Sequence, residues 1–236
     1  MRILVACEES QAVTKELRAL GHEAYSSDIL ESSGGHPEWH LQKDTLEIIN
    51  DGWDMIIAFP PCTYLTNTAN AWLRHPDDAA SKNGGVSKPL AECRPHPKHP
   101  KRRELREDAS RFFLAIAQAD CPKIAIENPI GYMNTNQWLL ENFTKPKAMH
   151  PYHFGDPTRK ATMFWVKGLP ELIETDNVKD QVNLITYTNK EGRVRTFSSS
   201  FLKGVKRGRA GEASTERSKT FPGVAKAMAA QWAGQA

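Results

Sequence analysis

A cysteine follows two consecutive prolines in the segment Ala58-Phe59-Pro60-Pro61-Cys62. The apolar run Met55-Ile56-Ile57 precedes that segment and has the composition of a buried strand. The prolines end the run and restrict the backbone, so that Cys62 stands directly after a strand on a turn of limited freedom. A thiol held in this way can act as a nucleophile once it is deprotonated. A buried cysteine taken alone is more often a packing residue, so a catalytic role needs support from a second chemical group.

A carboxyl group occupies the corresponding place after a later apolar run. The segment Lys123-Ile124-Ala125-Ile126 predicts a strand, and Glu127-Asn128-Pro129 follows it. A glutamate can share a proton with a reacting group, and the Asn-Pro pair would rigidify the turn that carries it. In a parallel sheet the carboxyl ends of strands lie at one edge, where ligands bind. The two segments therefore predict a site at this edge of the sheet that contains a thiol and a carboxyl group.

Acidic residues also follow the first two predicted strands. Cys7-Glu8-Glu9-Ser10 comes directly after Ile3-Leu4-Val5-Ala6, and Asp28 comes after Glu23-Ala24-Tyr25-Ser26. An acid after the second strand of such a fold commonly accepts hydrogen bonds from a ribose. The first turn lacks a glycine-rich phosphate cradle, and its two acids would repel a diphosphate. These features favour S-adenosylmethionine, which contains a nucleoside and a positively charged sulfur.

Strands and helices alternate along the first two thirds of the chain, which predicts a doubly wound, mostly parallel α/β sheet. Helices are predicted at 10–20, 46–49, 106–119 and 221–232, and a further strand at 161–166. Residues 31–43 and 74–103 have the composition of loops. Residues 167–215 are polar, basic and rich in β-formers, which predicts a small appendage. We therefore expect a main, cofactor-binding domain formed by 1–166 plus 216–236, and a small appendage at 167–215.

The two strand-end motifs resemble those of a known enzyme family. Phe59-Pro60-Pro61-Cys62 and Ile126-Glu127-Asn128-Pro129 resemble, in order and separation, the Pro-Cys and Glu-Asn-Val motifs of DNA cytosine-5 methyltransferases. The segment 154–162 loosely resembles the family's Tyr-Gly-x-Pro-Gln-x-Arg-x-Arg segment. The chain is similar to a compact, phage-type member over residues 1–166. The resemblance implies a class I S-adenosylmethionine-dependent methyltransferase fold, double-stranded DNA as the substrate and S-adenosylmethionine as the methyl donor.

The resemblance also implies roles for individual residues. Cys62 would add to carbon 6 of a flipped cytosine, and Glu127 would stabilise the ring at nitrogen 3. Asn128 and a cation, Lys160 or Arg159 in a shifted register, would complete the catalytic set. The residues implied in cofactor binding are Cys7, Glu8, Glu9, Ser10, Asp28, Ile29, Asp44, Thr45, Phe59 and Pro60.

Three segments depart from the family's pattern. Ala6-Cys7-Glu8-Glu9-Ser10 replaces its first glycine-rich motif, Phe-x-Gly-x-Gly. The late Gly-Asn-x-Val-Pro motif is missing, and Ser218-Lys219-Thr220-Phe221-Pro222-Gly223 is its candidate replacement. The resemblance also implies a small target-recognition, DNA-contacting region within 167–215. It covers at most 168–215, so it is smaller than is usual in the family.

Positive charge is concentrated in two segments, although the net charge of the 236-residue chain is only +3. Residues 82–111 contain nine Lys or Arg against four Asp or Glu, and residues 186–219 contain nine against three. Such segments indicate a polyanionic partner. The loop 63–103 could close over an extruded base. Candidate nucleic-acid contacts are Lys101, Arg102, Arg103, Arg193, Arg195, Lys203, Lys206, Arg207 and Arg209.

The sequence also gives no sign of secretion, membrane insertion, a disulfide framework or a metal site. The N-terminus lacks a signal peptide, no apolar run approaches the ~20 residues that span a bilayer, and four cysteines show no paired spacing. We therefore expect a cytoplasmic monomer that takes part in DNA methylation, for example in restriction–modification. Cys93-x-x-His96-x-x-His99 is not a recognised zinc pattern, so no metal is expected.

Two alternatives remain open. The Cys62–Glu127 pair would serve the same chemistry on a free nucleotide or RNA, or with a modified sulfonium donor. A catalytically silent DNA-binding relative is the other alternative, and the presence of both residues argues against it.

Overall fold

A six-stranded sheet forms the centre of the computed structural model, which describes residues 1–79, 88–188, 192, 194–198 and 219–234. The strands are β1 (Arg2–Ala6), β2 (Glu23–Asp28), β3 (His40–Gln42), β4 (Met55–Ala58), β5 (Ile124–Asn128) and β6 (Met163–Lys167). Their spatial order is β3-β2-β1-β4-β5-β6, and all neighbours are parallel except β5 and β6. The order reverses between β1 and β4, which is the point where doubly wound sheets bind ligands. The predicted fold class is confirmed.

Helices flank the sheet on both faces. They are α1 (Ala12–Ala19), α2 (Thr45–Ile48), α3 (Arg102–Ala117), α4 (Gln137–Asn142) and α5 (Pro222–Ala233). The prediction missed α4, and α3 begins four residues earlier than expected. A separate antiparallel hairpin consists of β7 (Leu184–Thr188) and β8 (Val194–Ser198). Within the described parts of the chain, no helix is both long and apolar enough to cross a bilayer.

The strands are apolar on both faces because helices cover both faces of the sheet. Ile3 and Val5 of β1 join α1 and α5 in one core cluster, while Leu4 joins the cluster on the opposite face with α3. All three residues are fully buried. The alternation explains why β1 reads as a continuous apolar run, and it holds the polar residues of the site at the strand ends.

One strand lies in a segment that was predicted to be a loop. His40–Gln42 forms β3 and pairs with the end of β2. The strand is polar and only three residues long, so its sequence shows no periodicity. Side-chain contacts hold it instead: the His40 ring lies 2.9 Å from Ser26 Oγ through Nδ1 and 2.9 Å from the Leu30 carbonyl through Nε2.

The residues that follow β6 pack on the main unit. Leu172 is buried in the core, and the Trp232 indole donates to the Pro170 carbonyl at 3.0 Å. Gln231 exchanges two hydrogen bonds with the Ile173 backbone, at 2.8 and 2.7 Å. The first residues of the predicted appendage therefore contact α5, and the division of the chain at residue 167 stays a prediction.

The start of α5 is held against the segment 154–156. The Gly223 N–H donates to Asp156 Oδ2 at 2.8 Å, so this carboxyl caps the first turn of the helix from a distant part of the chain. A Cβ on Gly223 would lie 1.8 Å from the Phe154 carbonyl oxygen. Only glycine permits this approach, which brings the N-terminus of α5 next to the strand ends.

Replacement of Gly223 by alanine is expected to lower the free energy of unfolding by about 1–3 kcal/mol, because the added methyl group must displace α5 or the 154–156 backbone. Urea unfolding of the purified protein measures the change. Lys226→Ala, an exposed substitution in the same helix, should stay within about 0.5 kcal/mol of the native chain. Identical transitions for Gly223→Ala and the native protein would contradict the close approach.

Candidate active site

A cavity of about 460 Å³ lies at the carboxyl ends of β1, β2, β4 and β5. Its volume is within the range of small-molecule sites, roughly 300–1,000 Å³. The predicted site residues that line it are Cys7, Glu8, Glu9, Ser10, Asp28, Phe59, Pro60, Cys62, Glu127 and Lys160. The sheet thus brings together side chains that are more than a hundred residues apart in sequence.

Cys62 is half-buried in this cavity. Burial raises the pKa of its thiol most strongly, the charge of Glu127 raises it further, and the charge of Lys160 opposes both. The net effect on the pKa disfavours the thiolate at neutral pH. A reaction at Cys62 requires a change in its surroundings that favours the thiolate.

Glu127 is oriented by a neighbour that sequence reasoning missed. The Thr162 hydroxyl donates a hydrogen bond to Glu127 Oε1, and Thr162 also lines the cavity. Two backbone hydrogen bonds with Met149, at 2.8 and 2.9 Å, hold the Thr162 backbone in place. This bond fixes the orientation of the carboxyl group within the cavity. The only signal in the sequence was the position of Thr162 in the segment 154–162.

The loops that carry Cys62 and Glu127 are joined directly. The Tyr132 N–H donates to the Leu65 carbonyl at 2.8 Å, and the Asn67 N–H donates to the Ile130 carbonyl at 3.2 Å. A Cβ on Gly131 would lie 1.9 Å from the Leu65 carbonyl oxygen, so glycine is required for this approach. Backbone contacts therefore join the loops that carry the two catalytic candidates.

Asn128 lies beneath the cavity and does not line it. It is fully buried, and its amide Nδ2 donates to the Pro129 carbonyl at 2.8 Å. Its Oδ1 is buried without a partner among the described residues. This geometry matches the predicted stiffening of the turn; a direct catalytic role stays a prediction.

Glu8 caps α1 from within the site. Its carboxyl group accepts bonds from the Val13 N–H at 2.7 Å and from the Thr14 N–H and hydroxyl at 3.3 and 2.8 Å. Gln11, which occupies the N-cap position, makes no capping bond and has a φ of 57°. Burial outweighs the hydrogen bonds and raises the pKa of Glu8 to about 7. Glu8, which lies where the DNA cytosine-5 methyltransferases have a glycine-rich motif, therefore holds the first turn of α1 in place.

Glu8 should make stability depend on pH. Its pKa is raised from 4.5 to about 7 in the folded protein, so the unfolded chain releases a proton that the folded protein keeps. The free energy of unfolding should therefore fall as the pH rises through that window, by about 1.4 kcal/mol per unit of pKa difference. Glu8→Gln should remove this slope, as measured by urea unfolding at successive pH values. Glu31→Gln, at an exposed site, should retain it; an unchanged slope in Glu8→Gln would contradict the assignment.

Two further acids have structural contacts. Asp28 lines the cavity and accepts from the Leu30 N–H at 2.9 Å. Asp44 caps α2 by accepting from the Leu46 N–H at 3.0 Å, and it does not line the cavity. Its neighbour Thr45 is buried, with its hydroxyl 2.9 Å from Ser27 Oγ. A role for Asp44 and Thr45 in cofactor binding stays a prediction.

Ile29 and Arg159 lie outside the cavity lining. Ile29 is 72% exposed, and Arg159 is exposed beside Lys160. Of the two candidate cations, Lys160 is the one that lines the cavity. Its ammonium nitrogen lies 5.9 Å from the centre of the Phe221 ring.

The N-terminus of α5 and the three residues before it form part of the cavity wall. Lys219, Thr220, Phe221 and Val224 line it there. The first three belong to the segment that was the candidate replacement for the late motif, and that replacement stays a prediction. The wall depends on the contact between Gly223 and the segment 154–156, which joins parts of the chain that are distant in sequence. The remaining unpredicted lining residues are Leu30, Pro61, Thr63, Pro151 and Phe164.

The described basic candidates are engaged with protein atoms or exposed. Arg102 donates to the Thr63 carbonyl at 3.0 Å, and Arg103 donates to the Leu73 and Cys93 carbonyls at 2.8 and 2.7 Å. Lys101 is exposed. Arg193, Lys203, Lys206, Arg207 and Arg209, and the side chain of Arg195, lie outside the described residues.

Among the residues that the structure describes, no three His, Cys, Asp or Glu side chains are grouped to hold a metal ion.

Comparisons with known proteins find similarity in structure only. No protein-family model and no curated protein sequence matches the chain. A Dnmt2 methyltransferase from S. pombe matches with a TM-score of 0.42 and 13% identity, over 70% of this chain and 50% of that one. An E. coli protein described as a putative DNA modification methyltransferase encoded within a prophage matches with a TM-score of 0.40 and 14% identity. This match covers 75% of this chain and 53% of that one. A mutant of Dnmt2 from Spodoptera frugiperda matches with a TM-score of 0.39 and 15% identity. This match covers 75% of this chain and 50% of that one.

The chain thus spans about half the length of the structures it matches.

Proposed function

We propose that the chain is an S-adenosylmethionine-dependent methyltransferase that acts on carbon 5 of cytosine in DNA. The observation that carries the proposal is the cavity at the switch point, where Cys62, Glu127 and Lys160 face one another. A nucleophile, an acid–base group and a cation are the side chains that addition to a pyrimidine requires.

The lining of the cavity fits S-adenosylmethionine. Asp28 is placed to accept hydrogen bonds from ribose hydroxyls, and Phe59 and Phe221 offer apolar surface. Glu8 and Glu9 line the cavity where a glycine-rich phosphate cradle would lie, and this acidic turn would disfavour a diphosphate. S-adenosylmethionine, when bound, supplies a methyl group on a sulfonium, and this group is electrophilic enough for carbon 5 of an activated cytosine.

Cys62 activates the ring. Its thiolate forms a bond to carbon 6, and the electron pair of the 5,6 double bond moves so that carbon 5 becomes nucleophilic, as in an enamine. After methylation, carbon 5 loses its proton to a base, the bond from Sγ to carbon 6 breaks, and its electron pair returns to sulfur. The thiol is therefore regenerated in each turnover.

Glu127 couples protonation of the ring to activation of the thiol. A proton that the carboxyl group shares with nitrogen 3 would offset the negative charge that develops on the ring. The hydrogen bond from Thr162 would hold the carboxyl group in one orientation while this proton is shared. Since the charge of Glu127 raises the pKa of Cys62, neutralising that charge lowers this pKa and favours the thiolate.

The position of the cavity bears on the substrate. It lies within the protein at the strand ends, so a base in a duplex must be extruded to reach Cys62. A free nucleotide or a single-stranded RNA could reach the same atoms without extrusion, so those substrates belong in the test.

The test is nucleoside mass spectrometry on DNA and RNA from cells without cytosine methylases of their own. One culture expresses the native chain and another expresses Cys62→Ala. 5-Methyldeoxycytidine that depends on Cys62 supports the proposal. A heavier deoxycytidine adduct would support the chemistry with a different donor, and modified RNA alone would change the substrate. Unmodified nucleic acid in both cultures, with folded protein present, would contradict the proposal.

A further inference from the structure

Helix α3 contacts both loops that carry the catalytic candidates. Residues 102–110 of the helix contact the loop after Cys62 and the loop after Glu127. Arg102 and Arg106 lie one helical turn apart, so their side chains leave the same face of the helix. This arrangement was not expected from the sequence, where Arg102 was a candidate phosphate contact.

Arg102 holds the Cys62 loop. Its guanidinium donates to the carbonyl of Thr63, the residue after the nucleophile, at 3.0 Å. The same group lies over the Tyr64 ring, 4.5 Å from its centre. A planar guanidinium can donate at its edge and stack on its face at the same time. Arg102 thereby contacts both residues that follow Cys62.

Arg106 holds the Glu127 loop in the same way. Its guanidinium lies over the Tyr132 ring, 4.2 Å from its centre. One turn further on, the Ser110 hydroxyl donates to the sulfur of Met133 at 3.1 Å. The Nε atoms of Arg102 and Arg106 are both buried without a partner among the described residues, so each guanidinium is wedged between helix and loop.

We propose that Arg102 and Arg106 are positioning residues, which set the position of Cys62 relative to Glu127 by bracing their two loops against α3. The loops already meet through the hydrogen bond from Tyr132 to Leu65, so the helix and the loops form a closed set of contacts. The kinetic part of the inference depends on the proposed function. The geometric part does not, because it concerns only the loops.

The alternative role for these arginines is contact with phosphate, and lysine substitution separates the two. Lysine keeps the positive charge that a phosphate needs but lacks the planar group that stacks and donates along a fixed direction. Arg102→Lys and Arg106→Lys should therefore lower kcat by about tenfold each, since displacement of a catalytic group by about 1 Å can cost 10²-fold. The KM for DNA and the salt dependence of DNA binding should not change.

Arg111→Lys is the matched control, because Arg111 lies on the same helix with its side chain 71% exposed and paired to Asp108. It should leave kcat unchanged. The double variant Arg102→Lys/Arg106→Lys should lose less activity than the product of the single losses, since the two loops share backbone bonds.

A second measurement needs neither DNA nor methyl donor. The rate at which iodoacetamide alkylates Cys62, followed by peptide mass spectrometry over a range of pH, reports the surroundings of the thiol. Arg102→Lys and Arg106→Lys should shift this pH profile, and Arg111→Lys should not. Circular dichroism verifies that each variant is folded.

The outcomes separate the two hypotheses. If the native protein transfers no methyl group but the alkylation profiles shift, the proposed function fails and the positioning role stands. If the lysine variants keep both native kcat and native alkylation, the positioning role is overturned. It is also overturned if Arg102→Met and Arg106→Met only weaken DNA binding and reduce its salt slope by about one each, as lost phosphate contacts would.

Discussion

Cys62→Ala should abolish methyl transfer, by a factor on the order of 10⁴ or more, while binding of S-adenosylmethionine is retained. Without the thiol, carbon 6 has no nucleophile and carbon 5 stays unreactive. Cys7 cannot replace it, because burial raises the pKa of Cys7 to about 12. The substitution removes only sulfur from a half-buried position, so the fold should persist.

Two assays test this expectation. Transfer of a labelled methyl group to DNA gives the rate, and calorimetry gives the affinity for S-adenosylmethionine. DNA that contains 5-fluorodeoxycytidine gives the covalent step, because fluorine cannot leave carbon 5 as a proton does and the adduct with Cys62 persists on a denaturing gel. Cys93→Ala, at a buried cysteine outside the cavity lining, should transfer methyl groups and form the adduct. Methyl transfer by Cys62→Ala would refute the assignment of the nucleophile.

Glu127→Gln should lower the rate of methyl transfer by about 10²- to 10⁴-fold and at the same time make Cys62 more reactive. The amide can still accept the hydrogen bond from Thr162, but it cannot share a proton with nitrogen 3 of the ring. The charge of Glu127 raises the pKa of Cys62, so its removal lowers that pKa. Enzyme activity and thiol reactivity should therefore change in opposite directions.

Rates of methyl transfer and the pH dependence of Cys62 alkylation measure the two effects in the same preparation. Glu107→Gln, on the exposed face of α3, is the control and should leave both unchanged. Slower alkylation in Glu127→Gln would show that the carboxyl group does not face the thiol. Undiminished methyl transfer would remove Glu127 from the mechanism.

The hydrogen bond from Thr162 to Glu127 is a contact that the prediction did not include. It orients the carboxyl group whose charge raises the pKa of Cys62. Thr162 lies directly before the antiparallel strand β6, next to the end of β5, so its contact with Glu127 follows from strand pairing.

The sequence by itself determined most of the sheet and the position of Cys62 and Glu127 at its edge. Local sequence patterns predict β1, β2, β4 and β5, and an acidic residue or a cysteine lies at or shortly after the carboxyl end of each. Since parallel strands have their carboxyl ends at one edge, Cys62 and Glu127 could be placed in the same cavity from local patterns alone. Residues 7–10, which follow β1, and Asp28, which ends β2, line the cavity for the same reason.

Only the tertiary structure decided what surrounds that pair. Thr162, Gly131 and Gly223 owe their roles to atoms that approach from distant segments, and no local period in the sequence encodes such contacts. Glu8 likewise caps a helix from within the site, and Arg102 braces a loop where its charge had suggested a phosphate contact. Periodicity predicts which face of an element is buried, whereas the partner of a polar side chain depends on how the elements pack.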